Sequence, residues 1–308
     1  GVGDEMKDSP VNNFCTVNPI ASLGGMTFSE GNLKVRHADI ASYNHARGTF
    51  GMSSGKWYWE VLKVAESGDP PNMVVGIVSS KQAVSTSNGY VGQAADSYGY
   101  NVDGPSIYNN GSPSSVTQPA GDGSDIVMFA FDQDAGLAWV GKNGAWASSG
   151  DPGAGTNSAW TGIDTTLTYF PAGFTINDNT SRYIDVVINH GQDSSFAGNK
   201  TAQGNSDGKL KGDFYYTPPS GFMALCTDNL SAPSIALPGE YFNTLGPWCG
   251  DGTQTDRVFT GVGFQPDMVW QKGTDDTWWH IMVDSVRGGN KELYVNDDDD
   301  EAVNPPNG

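Results

Sequence analysis

The chain has 308 residues, with 16 basic and 35 acidic side chains and a formal net charge of -19. Nucleic-acid binding needs a concentrated Lys/Arg face, so this acidic excess argues against it, and it would also repel an anionic membrane surface. At roughly 100–200 residues per domain, the length predicts one large or two medium domains. The sequence has no run of the ~20 apolar residues that a membrane-spanning helix needs, and its N-terminus does not resemble a signal peptide.

The early part of the chain predicts short strands separated by turns, because helical periodicity is nearly absent. Met26 to Phe28 and Leu33 to Val35 flank the turn residues 29–32, which is a hairpin pattern. Residues 56–64, KWYWEVLKV, predict the strongest strand. Its alternation places Trp57, Trp59 and Val61 on one face and Tyr58, Glu60 and Leu62 on the other.

The middle of the chain continues the same pattern. Met73 to Val78 is a continuous apolar run, as expected of a central strand. Two hairpins follow, one around residues 132–136 and one at Asn143-Gly144, whose sequence favours a type I′ turn. Later strands are predicted at Tyr183 to Ile188, Phe214 to Tyr216 and Phe222 to Leu225. Many strands with turn chemistry between them predict an all-β protein built on an antiparallel β-sandwich.

Composition predicts the domain boundaries. We expect an N-terminal linker at 1–12, a β-sandwich at 13–228, a Pro-rich connector at 229–239 and a second, partial β-rich module at 240–308. Residues 79–97 are rich in Ser, Gly, Gln and Ala, and residues 191–212 are mostly polar or glycine. These two stretches and residues 101–118 are predicted to be loops at one end of the sandwich.

Three cysteines are too few and too widely spaced for a disulfide framework or a zinc site. We interpret Cys15, Cys226 and Cys249 as small buried thiols, which fits assembly in a reducing compartment. Cys15 and Cys226 would meet if the two ends of the first domain packed together.

Several segments together resemble SPRY domains over about residues 13–228. The segments that carry the resemblance are GKWYWEV at 55–61, VGIV at 75–78, YGY at 98–100, DIVMFAFD at 125–132, GLAWVGKNG at 136–144, VINHGQ at 187–192 and PPSGF at 218–222. The resemblance implies a SPRY/concanavalin-like jelly roll that recognises partners through its loops.

A second resemblance is to bacteriophage structural proteins. It is carried by FCTVNP at 14–19, FSEGNL at 28–33, GDFYY at 212–216 and ALCTDNL at 224–230, and by residues 259–270 with 284–288, which resemble a module of phage tail proteins, often marine. The usual later half of that module is missing here. This resemblance implies a non-enzymatic virion protein, assembled in the host cytoplasm and placed in a tail fibre or other appendage.

The resemblance also implies partners. It predicts contacts with other virion proteins, a homo-oligomer (a trimer in a fibre) and recognition of a host surface glycan or receptor, without nucleic acid or membrane insertion. One alternative is a capsid decoration or adaptor protein with a purely architectural role. A weaker alternative is a glycan-active enzyme, which would need a pair of carboxylates in a cleft.

Aromatic residues in or beside loops are the candidate ligand-binding residues. They are Tyr90, Tyr108, Trp146 and Trp160, with Trp248 in the second module. Exposed rings there would stack on a sugar or anchor a protein partner. The alternative is that these rings fold back and cover the ends of the sandwich.

No catalytic, cofactor or metal motif is found in the sequence. His37, His45, His190 and His280 have no metal-binding spacing, and no Gly-x-Ser-x-Gly motif occurs. We therefore predict no cofactor. Calcium remains the alternative for the acidic run at 296–301, and more weakly for Asp193, Asp207 and Asp213.

Overall fold

The computed structural model describes residues 7–22, 25–38, 44–67, 73–82, 89–104, 106–117, 119, 124–173, 183–232, 238–249 and 258–303. The chain divides into two compact units, residues 1–230 and 231–308. This division falls inside the predicted connector. Within the described ranges, no helix has the length and apolar character needed to cross a membrane.

The first unit is formed by short strands with one 3-10 turn at Ala147–Ser149. Its strands are β1 (Val17–Ser22), β2 (Met26–Ser29), β3 (Lys34–Ala38), β4 (Ala46–Gly48), β5 (Lys56–Ser67), β6 (Val74–Ser79), β7 (Ser97–Asn101), β8 (Ser106–Asn109), β9 (Ser112–Ser115), β10 (Ile126–Asp132), β11 (Leu137–Lys142), β12 (Ala145–Trp146), β13 (Tyr169–Gly173), β14 (Tyr183–Asn189) and β15 (Met223–Ala224).

These strands form two sheets. The seven-stranded sheet has the order β1-β4-β13-β6-β7-β8-β9, and the eight-stranded sheet has the order β12-β11-β10-β5-β14-β3-β2, with β15 added beside β5. All described pairings are antiparallel except the short β15–β5 contact. The predicted all-β antiparallel sandwich is therefore confirmed.

The alternation of side chains along β5 shows where the main core lies. Trp57, Trp59 and Val61 belong to the main apolar cluster between the sheets, as predicted. Trp59 stacks on Phe129 with ring centroids 4.5 Å apart. The opposite face of β5 is buried as well, because the loops after β14 cover Tyr58 and Leu62. This strand therefore supports a core on each of its faces.

The predicted hairpins are largely confirmed. β2 pairs with β3 around residues 30–33, and β10 pairs with β11 around residues 133–136. The Asn143-Gly144 turn joins β11 to β12, with positive φ at both residues (52° and 81°), as a type I′ turn requires.

Three strand or loop predictions need correction. Residues 214–216 form no strand; Phe214 makes an isolated bridge to Asn205. The strand predicted at 222–225 is reduced to β15. The predicted loop at 101–118 contains the β8–β9 hairpin, because Asn110-Gly111 adopts positive φ at both positions and closes a tight turn.

Cys15 and Cys226 lie on neighbouring segments but are free thiols. Cys15 faces the core between the sheets, whereas Cys226 packs with Phe14 in the second apolar cluster, on the outer side of the eight-stranded sheet. Phe14, rather than Cys15, is the bridge partner of Cys226. The thiol at Cys249 is exposed, which corrects its predicted burial.

The second unit contains a 3-10 turn at Pro238–Glu240 and a four-stranded antiparallel sheet. Its strands are β16 (Met268–Lys272), β17 (His280–Asp284), β18 (Lys291–Tyr294) and β19 (Ala302–Val303). Every residue of β16 is exposed, and Trp270 is 63% exposed.

Candidate functional site: an aromatic surface on the seven-stranded sheet

Tyr90 and Tyr108 meet on the outer face of the seven-stranded sheet. In β8, Ile107 points into the main core, so its neighbour Tyr108 points outward. The Tyr90 ring contacts the Tyr108 ring edge to face, with centroids 5.5 Å apart, and both side chains are half-buried. The structure therefore brings two of the four predicted ligand-binding residues together.

The segment that carries Tyr90 is pressed onto the sheet by its neighbour Val91. The Val91 side chain is fully buried on the outer face, beside Val74, Val78 and Ala172. Close approach is possible because the sheet has glycine beneath this segment. A Cβ atom on Gly99 would lie 2.0 Å from the Val91 carbonyl oxygen. The glycine at 99 thus lets residues 89–96 lie directly on the strands.

Hydrogen bonds fix both ends of the same segment. The Asn109 side-chain amide donates to the carbonyls of Ala95 and Ser97, at 2.7 and 2.9 Å. The Gly92 N–H donates to the Ser97 hydroxyl at 2.6 Å, and the ring nitrogen Nδ1 of His45 lies 2.8 Å from the Gly89 carbonyl. Tyr90 is therefore held on an ordered backbone rather than on a free loop.

The β8–β9 hairpin completes this face. Pro113 lies opposite Tyr108 in the hairpin register, so the two residues share the outer face. Gln93 and Asn110 are exposed beside them, and the Asn110 N–H donates to the Ala94 carbonyl at 3.0 Å. We call Tyr90, Tyr108, Pro113, Gln93 and Asn110 the tyrosine surface.

Trp146 and Trp160 lie elsewhere. Trp146 is half-buried on the outer face of the eight-stranded sheet, 6.4 Å from the Tyr58 ring. Trp160 is 7% exposed and packs in the main core, stacked on Phe129 at 5.9 Å. Its expected position on a loop surface is therefore corrected, since its ring covers the core. Trp248, in the second unit, is 45% exposed.

Glu60 is a buried carboxylate on the outer face of the eight-stranded sheet. The sequence predicts the face of β5 on which it lies but not its burial. Glu60 is fully buried and accepts hydrogen bonds from the Tyr58 hydroxyl, the Asn189 amide and the backbone N–H groups of Tyr215 and Tyr216. Burial raises the pKa of Glu60 from 4.5 to about 7, and these four hydrogen bonds limit the rise. These two backbone bonds satisfy the N–H groups of Tyr215 and Tyr216, and Phe214 exchanges backbone hydrogen bonds with Asn205.

The other buried carboxylates of the first unit are also engaged. Asp125 accepts from Lys142 at 3.1 Å and from the Asn143 amide at 2.9 Å. Asp185 forms a forked pair with Arg36, at 2.6 and 2.8 Å. Asp132 pairs with Lys56 at 2.9 Å. These carboxylates therefore stabilise turns and strand ends.

Burial favours the uncharged form of His37 and His190. Burial lowers the pKa of His37 to about 4 and that of His190 to about 3. His190, at the end of β14, is 1% exposed. It borders a cavity of about 20 Å³, the size of one water molecule, between the sheets.

The two candidate calcium sites differ in geometry. Asp193 and Asp207 accept bonds from backbone N–H groups of their own loops, including Ser195, Ala197 and Lys211. These bonds make Asp193 and Asp207 turn organisers, whereas Asp213, the third candidate, has its Oδ1 atom buried without a hydrogen-bond partner. Among the described residues, one group of three or more His, Cys, Asp or Glu side chains has all its potential ligand atoms within 4.8 Å of one another: Asp297, Asp298 and Asp299, which are exposed.

Comparison with known proteins gives two kinds of match. Residues 237–307 match the family described as "Domain of unknown function (DUF7483)". No curated protein matches the chain.

The chain also matches solved structures, among them SPRY domains. The SPRY domain of human HERC1 aligns with a TM-score of 0.44 and 16% identity, covering 56% of this chain and 96% of that chain. The PSpry domain of TRIM65 aligns with a TM-score of 0.42 and 14% identity, covering 57% of this chain and 92% of that chain. Stonustoxin aligns with a TM-score of 0.33 and 18% identity, covering 56% of this chain and 25% of its own.

Proposed function

We propose that this chain is a non-enzymatic bacteriophage virion protein. In this proposal it is a component of a tail fibre or other appendage that displays its sandwich for recognition of the host or of a partner. The phage assignment is supported by the segments at 14–19, 28–33, 212–216 and 224–230, which resemble SPRY-like segments of phage structural proteins. The recognition role is supported by one observation above all, the tyrosine surface.

The tyrosine surface has the properties of a recognition site. Tyrosine combines a large apolar ring with a polar hydroxyl and has few rotatable bonds, so little conformational entropy is lost when it binds a ligand. The backbone beneath Tyr90 is already fixed by the buried Val91 and by the Asn109 bonds. A preformed surface binds more tightly because ordering costs are met during folding.

Binding is favoured over catalysis by the state of the buried carboxylates. A glycoside hydrolase needs two carboxyl groups facing one substrate. Glu60 makes four hydrogen bonds, and Asp125 and Asp185 are each paired with a cation. These groups are committed to the fold, so the enzymatic alternative is the weaker one.

The architectural alternative, a capsid decoration or adaptor protein, is favoured by the second unit. Met268, Trp270, Trp278 and Trp279 are each more than half exposed. Exposed aromatic residues at this density are typical of contacts with other proteins. We propose that the second unit contacts other virion proteins or further copies of the chain, in a homo-oligomer. A trimer is expected if the appendage is a fibre.

Immunogold electron microscopy of the particles tests the location. The antibody is raised against the full chain and selected for binding to residues 10–228. Label on the tail or its fibres is the expected result, and label spread over the capsid would support the decoration role instead. If neither intact nor disrupted particles are labelled, the virion assignment is wrong.

A further inference from the structure

We propose that the tyrosine surface binds a neutral carbohydrate. This inference rests on the proposed recognition function and names the class of ligand at that site. A pyranose ring presents an apolar C–H face and a rim of hydroxyl groups. An aromatic ring flanked by amide and hydroxyl groups is complementary to both.

The arrangement of side chains matches those two features. The Tyr90 and Tyr108 rings meet at 79°, so they form a corner rather than a flat stack. The amides of Gln93 and Asn110 are exposed beside this corner, and the exposed Ser115 lies on the same face of β9 as Pro113. Each of these groups can exchange hydrogen bonds with sugar hydroxyls.

The lack of charged residues at the tyrosine surface favours neutral sugars as ligands. Residues 89–95 and 106–117 contain no Lys, Arg, Asp or Glu, whereas the whole chain carries a net charge of -19. An anionic sugar would meet no cation within these two segments and would be repelled by the net negative charge of the protein. A basic ligand would likewise find no carboxylate within these two segments.

A protein ligand fits the sandwich less well. A protein interface covers about 800 Å² per partner and has buried apolar or aromatic anchors at its centre. Among the described residues of the first unit, the exposed large apolar side chains are Val11, Ile20 and Leu210. Ile20 lies on β1, at the opposite edge of the sheet from β8. The tyrosine surface offers two half-buried rings and no exposed large apolar side chain among its residues, which suits one or two sugar rings better than a protein partner.

The test uses the full chain on an array of neutral hexose and N-acetylhexosamine oligosaccharides beside sialylated and sulfated ones. Binding to neutral members is expected. The tightest neutral oligosaccharide is then titrated by calorimetry against four proteins: the wild type, Y90A/Y108A, Y90F/Y108F and the control Y183A. Tyr183 is a half-buried tyrosine on the other sheet, beside Arg36.

We expect Y90A/Y108A to weaken binding at least ~10-fold, as loss of aromatic anchors does. Y90F/Y108F keeps the rings and should stay within about threefold of the wild type, and Y183A should be unchanged. Thermal melting confirms that each variant is folded.

Three results would overturn the inference: no neutral oligosaccharide binds, only anionic ones bind, or Y90A/Y108A binds as tightly as the wild type. If carbohydrate binding fails while the two tyrosines are still needed to compete with the phage for its host, the proposed function stands and only the ligand class is wrong.

Discussion

Glu60 shows how one buried carboxyl group can hold a segment that has no strand partner. The sequence places it on the outward face of β5, where a glutamate would ordinarily be solvated. In the structure that face is covered, and the carboxylate holds the N–H groups of Tyr215 and Tyr216 at 2.9 and 2.7 Å. The alternation was predictable, but the covering segment was not, because its position depends on contacts distant in sequence.

The raised pKa of Glu60 gives a prediction for stability against pH. Its pKa is about 7 in the folded protein and about 4.5 in the unfolded chain. The folded state therefore binds the proton more tightly than the unfolded chain. The contribution of protonated Glu60 to the free energy of unfolding is complete below pH 4.5 and is lost as pH rises through about 7.

Glu60→Gln removes this dependence. A difference of one pKa unit corresponds to about 1.36 kcal/mol. The free energy of unfolding of the wild type should therefore fall by on the order of 3 kcal/mol relative to that of E60Q between pH 4.5 and pH 8. Urea unfolding of both proteins across this range measures the difference. A constant difference between the two free energies of unfolding would contradict the raised pKa.

At the scale of elements, sequence patterns predict the strands that are rich in apolar residues and miss those that are not. β5 alternates from Trp57 to Leu62, and β10 and β11 are apolar runs on either side of the turn predicted at 132–136. β8 and β9 fall in a predicted loop because β9 has the sequence SPSS, without an apolar residue. The Asn110-Gly111 dipeptide is the signal for this hairpin. The tyrosine surface depends on that hairpin, so Tyr90 and Tyr108 could be predicted as candidates, but not their contact or the roles of Gln93, Asn110 and Pro113.

The contact between residues 89–96 and β7 can be tested with Gly99→Ala. The added methyl group would lie 2.0 Å from the Val91 carbonyl and 2.8 Å from a Val74 methyl group. We expect a loss of about 1–3 kcal/mol in the free energy of unfolding, typical of overpacking. Because Tyr90 precedes Val91 directly, binding at the tyrosine surface should weaken as well.

Gly208→Ala is the matched control, since nothing lies within 4 Å of the position that its added methyl group would occupy. Hydrogen exchange then locates the effect. Amides of residues 89–96 should exchange faster in G99A and at the wild-type rate in G208A. Unchanged melting and exchange in G99A would show that this segment is not held against the sheet.

The whole molecule combines two units with different surfaces. The sandwich has few exposed apolar side chains among its described residues, and the tyrosine surface is rigid and uncharged. The second unit exposes Trp270, Trp278 and Trp279 on or beside its sheet. Sequence composition predicts a Pro-rich connector at 229–239 before the second unit, but it could not predict this exposure, because a tryptophan in a strand is ordinarily buried. We interpret the sandwich as the recognising unit and the second unit as the one that contacts other virion proteins.

The central claim is that the sandwich recognises the host through Tyr90 and Tyr108. The most direct measurement is competition: purified chain is added to host cells, and the rate of phage adsorption is then followed. The wild type and Y183A should slow adsorption, whereas Y90A/Y108A at the same concentration should not. Equal inhibition by Y90A/Y108A, or no inhibition by the wild type, would contradict the claim.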